Sequence, residues 1–319
     1  MDRSYRREVM TDDIGPSADE DDPNAPGEVV VERLSPGEAF GVVSHETRLR
    51  VLEVLNETDE PLAFADLRRR VGADDPGGFN YHLGKLAGRF VQNTDEGYEL
   101  ADPGRRIVGA VLSGGYTKAL DADPVPVDGT CTECGGSLEA RFHEDGVRVV
   151  CTECGFKFTD PEIPAGALEG VVREQVPMVV DRWLKRVHAA AEHGFCPNCD
   201  GRLDRRVTLP SDDGSPEWLT GEDLDVTVIY DCRRCGTAWQ SIVPYAVLTH
   251  PAIIAFHYDH DIDLRETPDW NLDSPRAGAA TVTSADPLRI DLAITIDGET
   301  CVFTFDENLD VVTNSQNDK

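Results

Sequence analysis

Eight of the nine cysteines in this chain stand in four C-x-x-C pairs: Cys131/Cys134, Cys151/Cys154, Cys196/Cys199 and Cys232/Cys235. Two thiolates separated by two residues aim their sulfurs at one point ~2.3 Å from each, so a pair wraps half a tetrahedral cation and a second pair completes it. The spacing is C-x2-C-x16-C-x2-C for the first two pairs and C-x2-C-x32-C-x2-C for the last two. Closing these loops within each couple costs less entropy than crossing between couples, which predicts two local sites. Four cysteine ligands leave no open position for water, so two structural Zn2+ ions are expected and metal catalysis is disfavoured. Disulfides are disfavoured in a chain whose opening residues lack an apolar secretion segment. Iron–sulfur clusters, the remaining rival, suit strand-filled inserts less well than zinc.

Between the first two pairs, Leu138 to Phe142 and Val147 to Val150 alternate like strands around the turn Glu144-Asp145-Gly146. Between the last two, Leu203 to Leu209 and Val226 to Tyr230 read as strands joined by an acidic loop from Ser211 to Asp225. Gly135, Gly155 and Gly236 follow three of the pairs directly and Asp200-Gly201 follows the other, which lets the backbone turn its amides toward sulfur. The pattern looks like two zinc ribbons, at 129–160 and 194–243. A helical connector at 161–193 separates them. Ala165 to His193 reads as helical, with Pro177 starting a second segment, Gly194 ending it, and an apolar side of Val179, Val180, Trp183, Leu184, Val187 and Ala191.

At 319 residues the chain is long enough for two or three domains. Its 60 acidic and 30 basic residues give a formal net charge of −30, which argues against non-specific coating of nucleic acid or anionic membrane. No apolar run approaches the ~18 residues of a membrane span, so no membrane partner and a cytoplasmic location are expected. The basic residues are 25 Arg and 5 Lys, and Asp outnumbers Glu 36 to 24. Such Asp-rich, Lys-poor composition resembles halophilic proteins, whose molar salt shortens the Debye length to ~3 Å and screens self-repulsion.

Residues 1–30 are acidic and poor in apolar residues, and read as a disordered tail. Structure is expected from Leu34, where Ser35 reads as an N-cap, Pro36 as the first turn and Glu38 as the capping-box partner. A second helix opens at Ser44 with Leu49, Val51, Leu52, Val54 and Leu55 inward; a third covers Phe64 to Val71 and stops at Gly72. A fourth carries Phe79, Leu83 and Leu86 at i, i+4, i+7. A hairpin follows from Phe90 to Leu100 around Asp95-Glu96-Gly97, then a helix from Gly104 to Leu112. That order suits a winged helix-turn-helix at 31–118, followed by a linker at 119–128.

Ser44-His-Glu-Thr-Arg-Leu-Arg-Val-Leu and Gly78-Phe-Asn-Tyr-His-Leu-Gly-Lys-Leu resemble the two signatures of ArsR-type winged helix-turn-helix transcriptional regulators, here of a halophilic archaeal type. The resemblance covers about 80 residues and implies double-stranded DNA as partner and a homodimer reading paired half-sites. If Phe79, Leu83 and Leu86 face inward, Asn80, Tyr81, Gly84 and Lys85 face outward. Asn80 then suits adenine, and Lys85 guanine or phosphate. Arg68, Arg69, Arg70 and Arg89 are phosphate candidates, and His82 matches a position that is His in that family. The departures are Gly77, Gly78 and Gly84 in and beside the fourth helix, poor helix formers at ~1 kcal/mol each, a net charge of −4 over residues 36–112, and no cysteine in 31–128, where ArsR metal sensors place theirs.

Residues 244–319 read as a helix from Pro244 to Tyr258, broken near Pro251, followed by an antiparallel meander at Thr281–Ser284, Leu288–Ile296, Thr300–Phe305 and Leu309–Thr313. His250, His257 and His260 lack a partner motif and read as ordinary residues; Cys301 reads as a small buried hydrophobe. No catalytic constellation is recognisable, so the chain is expected not to be an enzyme. The fold expected is α+β and multidomain: winged helix, two zinc ribbons with an intervening helix, and a small C-terminal sheet. The function expected is sequence-specific transcriptional regulation. The alternative is a basal adaptor contacting RNA polymerase, because a winged helix followed by a zinc ribbon also resembles the alpha subunit of archaeal general transcription factor E.

Overall fold

The structure, a computed structural model, describes residues 36–115, 120–144, 146–212, 215, 226–272 and 279–317. The tail at 1–30, the Ser35 cap, the turn residue Asp145 and most of the acidic loop 211–225 lie outside the described residues. The fold is mixed, with helices and several antiparallel sheets, and the chain divides into two compact units at Val108/Gly109.

In the first unit, local signals set the boundaries. Helix α1 is Pro36–Val43 and α2 is Glu46–Asn56. The cap of α2 is His45, whose Nδ1 accepts the Thr47 amide at 3.2 Å; Ser44, the expected opener, instead donates its hydroxyl to Gly41 O. Helix α3 is Phe64–Val71, ended by the left-handed Gly72, and α4 is Pro76–Leu86. The hairpin pairs β1 (Val91–Thr94) with β2 (Gly97–Leu100), register Val91↔Leu100, and α5 (Asp102–Leu112) closes the unit. Leu52, Leu67, Phe79, Leu83 and Leu86 are essentially sealed from solvent, each contributing about 1.5–3 kcal/mol by burial. The start of α5 presses against the hairpin: a Cβ on Gly104 would sit 2.2 Å from Phe90 O, so no larger residue fits there.

The second unit holds three antiparallel sheets. The first is β3 (Val125–Thr130), β4 (Ser137–His143), β5 (Gly146–Cys151) and β6 (Lys157–Thr159), in that order. The segment 119–128, expected to be a linker, therefore contributes strand β3 from Val125, paired with Ala140 on β4. The second sheet is β7 (Leu203–Thr208), β8 (Thr227–Cys232) and β9 (Ala238–Ser241). The third is a meander of β10 (Ala280–Ala285), β11 (Leu288–Ile296), β12 (Glu299–Phe305) and β13 (Val311–Asn317). Leu309, expected in the last strand, instead takes a φ of +57° in the turn before it. The apolar helix expected from Pro244 is two pieces, α7 (Val243–Ala246) and α8 (Pro251–Asp259). These pack with the second and third sheets on one core that includes Tyr230, Val247, Phe256, Ile290 and Phe303.

Helix α6 (Val176–Glu192) is the strut between that core and the core of the first sheet: Val176 and Val180 belong to the latter, Ala191 to the former. Only short 3-10 turns at Ala165–Leu168 and Arg173–Gln175 precede it, where a first helical segment was expected. Its inward side is not the purely apolar stripe read from sequence. Asp181, Lys185, His188 and Glu192, spaced i, i+4, i+7, i+11, form a row of ionisable groups on one helix face. Lys185 Nζ lies 2.8 Å from Asp181 Oδ2 and 3.4 Å from Asp269 Oδ1, and donates to Thr267 O at 2.6 Å. The Asp269 amide donates to Asp181 Oδ1 at 2.9 Å, yet neither Asp181 Oδ2 nor Asp269 Oδ1 has an aligned hydrogen bond. One ammonium thus faces two buried carboxylates.

Burial, then the charge of Asp181, pushes Asp269 up to about 7, and burial pushes Glu192 up to about 7; burial draws His188 down to about 4. Below about pH 7 the folded chain keeps protons on Asp269 and Glu192 that the unfolded chain has released, so these groups lose stability as pH rises. His188 acts in the opposite sense, but only between about 4 and its ordinary ~6.5. The unfolding midpoint is therefore expected to fall as pH rises from about 5 to 7 and to level off above about 7, where the folded chain releases these protons as well. Asp269→Asn should flatten that fall in thermal melts across the range; an unchanged profile counts against the proton at Asp269.

Candidate metal centres and nucleic-acid interface

All four cysteine pairs fold into the same turn. In each, the residue after the second cysteine has a positive φ: Gly135 at 74°, Gly155 at 77°, Asp200 at 54° and Gly236 at 70°. Its amide donates back to the first cysteine's carbonyl, at 2.8, 3.1, 2.9 and 3.1 Å respectively. The first cysteine's own amide is then held by a carbonyl five or so residues on: Gly136, Phe156, Gly201 and Thr237. The pairs come together locally. Cys131, Cys134, Cys151 and Cys154 form one group and Cys196, Cys199, Cys232 and Cys235 another, with the sulfurs of each group within 4.8 Å of one another.

The measured sulfur separations are 3.7 Å for Cys131–Cys154, 3.5 Å for Cys134–Cys151, 3.8 Å for Cys196–Cys235 and 3.5 Å for Cys199–Cys232. A tetrahedron with ~2.3 Å metal–sulfur bonds has edges of about 3.8 Å. Both groups are therefore positioned to bind a metal ion. Their electrostatics agree: thiolate is favoured at one sulfur and resisted at its neighbours. Hydrogen bonds from the Thr237 hydroxyl and amide draw Cys235 down to about 5, whereas burial and the adjoining thiols push Cys199 up to about 12. The Cys154 amide likewise draws Cys151 down to about 7. Four thiolates this close require a cation among them. Sequence reasoning missed the outer contacts, Glu153 beside Cys151 and Asn198 donating to Cys235 at 3.7 Å; only the variable C-x-x-C interiors could have signalled them.

On the first unit, α4 begins where its glycines allow. Asp75 caps it, with both carboxylate oxygens accepting amides, Gly77 at 3.0 Å and Gly78 at 2.8 Å. A Cβ on Gly78 would stand 2.8 Å from Asp75 Oδ2, so this glycine permits the cap. Phe79, Leu83 and Leu86 are buried, and Asn80, Tyr81, Gly84 and Lys85 are exposed on the other flank. Lys85 Nζ lies 5.5 Å from the centre of the Tyr81 ring.

His82 is half-buried, its Nδ1 accepting from Arg48 Nε at 3.3 Å and its ring 4.0 Å from that of His45. Burial, then the His45 and Arg48 charges, lower its pKa. Arg68 donates to Asp74 O, and Arg69 is paired with Asp66 at 2.6 Å. Arg70 and Arg89 are exposed and make no ion pair among the described residues. A groove of about 430 Å³ runs beside Phe90, with Arg48, Lys85 and Arg89 against one acid, Glu38.

Away from these sites, His250 caps α8 through Nδ1, His257 bonds Ile253 O, and His260 bonds Phe256 O and Glu299, so each histidine has a local structural partner. Cys301 is buried in β12. No helix among the described residues is long and apolar enough to cross a membrane.

Residues 128–311, from the first sheet through the start of β13, match the family described as Domain of unknown function (DUF7351). The chain belongs to that family. Residues 36–111, spanning α1 to α5, are similar to a second, Domain of unknown function (DUF7347). No curated protein and no solved structure matches the chain.

Metal analysis of freshly reduced protein should return two zinc ions per chain, and Cys151→Ser should leave one. Iron in place of zinc, or no metal, would remove the structural-zinc assignment. Chelation should lower the unfolding midpoint of the full chain sharply, because structural zinc binding is worth about 10–16 kcal/mol in small sites.

Proposed function

We propose that this protein is a sequence-specific DNA-binding transcriptional regulator, in which α1–α5 with the β1–β2 hairpin act as a winged helix-turn-helix and two zinc ribbons build the remainder. The observation that carries this reading is the two-sidedness of α4. Its buried Phe79, Leu83 and Leu86 fix the helix from behind, while Asn80, Tyr81 and Lys85 stand exposed in front. An α-helix presented this way fits the major groove, where Asn80 can pair bidentately with adenine and Lys85 can reach guanine or phosphate. Arg89 and the basic groove beside it supply phosphate contacts that set register. Arg69, tied to Asp66, must exchange that partner for phosphate, whereas Arg70 has none to lose.

Zinc in each cysteine group would be held by four thiolates with no vacant position, so its contribution is cohesion of the sheets rather than chemistry. A homodimer reading paired half-sites, in a cytosol of high salt suited to the acidic, Lys-poor surface, completes the proposal. One observation favours a second reading, a basal adaptor on RNA polymerase: the hairpin tip carries exposed Asp95 and Glu96, which repel phosphate and suit a protein partner.

Asn80→Ala is expected to cost ~1–3 kcal/mol in operator affinity and relax preference at one base pair. Lys85→Ala should weaken all sequences more evenly and reduce the salt slope by about 1. Footprinting and salt titration of the full chain check both. Polymerase co-purification without any footprint would replace the regulator by the adaptor.

A further inference from the structure

The two cysteine groups present opposite chemistry at their tips. The first has the same turn twice, Cys131-Thr-Glu-Cys134 and Cys151-Thr-Glu-Cys154, each offering an acid. The second offers Cys196-Pro-Asn-Cys199 and Cys232-Arg-Arg-Cys235. In a chain with twice as many acidic as basic residues, Arg202, Arg205, Arg206, Arg233 and Arg234 all stand exposed on this one small sheet and its turns.

Their partners separate them. Arg233 is spent on Asp204, through two hydrogen bonds of 2.5 Å, Arg206 lies 3.4 Å from Asp231, and Arg205 donates to Asn308 O. Arg202 and Arg234 make no ion pair among the described residues. The Arg234 side chain and the Arg202 backbone are held in place. Arg234 packs where a Cβ on Gly201 would come within 2.9 Å of its own Cβ, and its Nη1 is 3.5 Å from Cys199 O. The Arg202 carbonyl accepts the Arg233 amide at 3.3 Å, which ties β7's start to the arginine-bearing turn.

Directly across an antiparallel bridge from Arg202 stands Phe195, 55% exposed. Opposed residues of such a bridge share a face, with Cβ atoms about 4.5–5.5 Å apart. An exposed aromatic ring costs solubility and finds no use in the core. Beside unpaired guanidinium groups it has the chemistry of a stacking platform for an unpaired base, flanked by holders for the phosphates on either side.

We propose that the tip of the second cysteine group is a binding surface for a single-stranded nucleic-acid segment, with Phe195 stacking one base and Arg202 and Arg234 taking the adjoining phosphates. Asn198 on the neighbouring turn is the amide within reach of a base edge; its Nδ2 otherwise donates to Cys235 and Thr237. The surface is separate from the α4 flank and does not require that flank to bind duplex.

The test is fluorescence polarisation of labelled 12-nucleotide oligo(U), oligo(dT) and a 12-base-pair duplex with the zinc-loaded full chain, over a salt series. Oligo(U) or oligo(dT) should bind more tightly than the duplex of unrelated sequence, the stronger of the two identifying RNA or DNA. Phe195→Ala should lower that affinity about tenfold and Phe195→Trp should restore it. Arg202→Ala with Arg234→Ala should reduce the salt slope by about 1.4, the value for two phosphates on a single strand. Asn80→Ala with Lys85→Ala should leave single-strand binding unchanged. Circular dichroism and two zinc ions per chain establish that each variant is folded. The proposal is overturned if folded Phe195→Ala and the double arginine variant bind single strands as the intact chain does, if the intact chain binds none, or if an acidic peptide competes as well as the oligonucleotides.

Discussion

Four sulfurs held within 4.8 Å of one another on two turns, with cross-turn separations of 3.5–3.8 Å, are the constraint on which the second unit depends. The turns themselves are cheap, because a positive-φ residue and two backbone hydrogen bonds close each one without help. Bringing two of them together is not cheap, since ionised thiolates repel and protonated ones forgo their best interaction. A cation reverses the sign of that term. It would also set strand register: Cys151 and Cys232 are the last residues of β5 and β8, so a metal held by them would fix the end of a central strand in each sheet. The sheet of β7, β8 and β9 has only three strands, one of them four residues long, and a sheet that small stands through what it packs on and what clamps its end.

Between the two cores of this unit, α6 makes an unusual compromise. An apolar joint would bind the first sheet to the shared core more strongly, since a buried ion pair is often no better than well-packed hydrophobic residues. Here two carboxylates and one ammonium occupy the joint, with Trp270 anchored nearby through its Nε1–H to Asp128 O at 3.1 Å. A network of that kind accepts one geometry and rejects slipped alternatives. It also leaves a proton whose presence depends on pH near neutrality.

Elements whose causes are local could be read from the residues. Helix α3 runs from Phe64 to Val71 as the periodicity and Gly72 require, and the hairpin turns at Asp95-Glu96-Gly97 as its composition demands. The cysteine groups were readable for the same reason, because spacing alone brings their sulfurs together. What escaped depends on distant partners. Strand β3 lies in a stretch rich in Pro and Asp, and it is a strand because Ala140 and Leu138 on β4 offer it an edge. Asp181 and Lys185 lie outside the apolar side read on this helix, yet Asp269, 88 residues beyond Asp181, turns their face inward. Among the α4 glycines, poor helix formers by composition, Gly78 is accounted for by the Asp75 side chain, which needs the space it leaves.

Net charge is a poor guide to where such a chain could meet a polyanion. At molar salt the Debye length is ~3 Å, so a total of −30 spread over the surface is felt by a phosphate only through the few groups it touches. What matters is which cations have no carboxylate of their own. By that measure many arginines among the described residues are discounted: Arg50, Arg69, Arg148, Arg206 and Arg233 all sit against an acid. Among the cations left over, two groups share one feature. Lys85 and Arg89 flank the exposed side of α4; Arg202 lies across its bridge from Phe195, and Arg234 stands on the other turn of the same cysteine group. In each place an exposed aromatic ring, Tyr81 or Phe195, stands beside the unpaired charge. Against a chain this acidic, a guanidinium with no carboxylate beside it stands out to a phosphate more than the same group would on a basic surface.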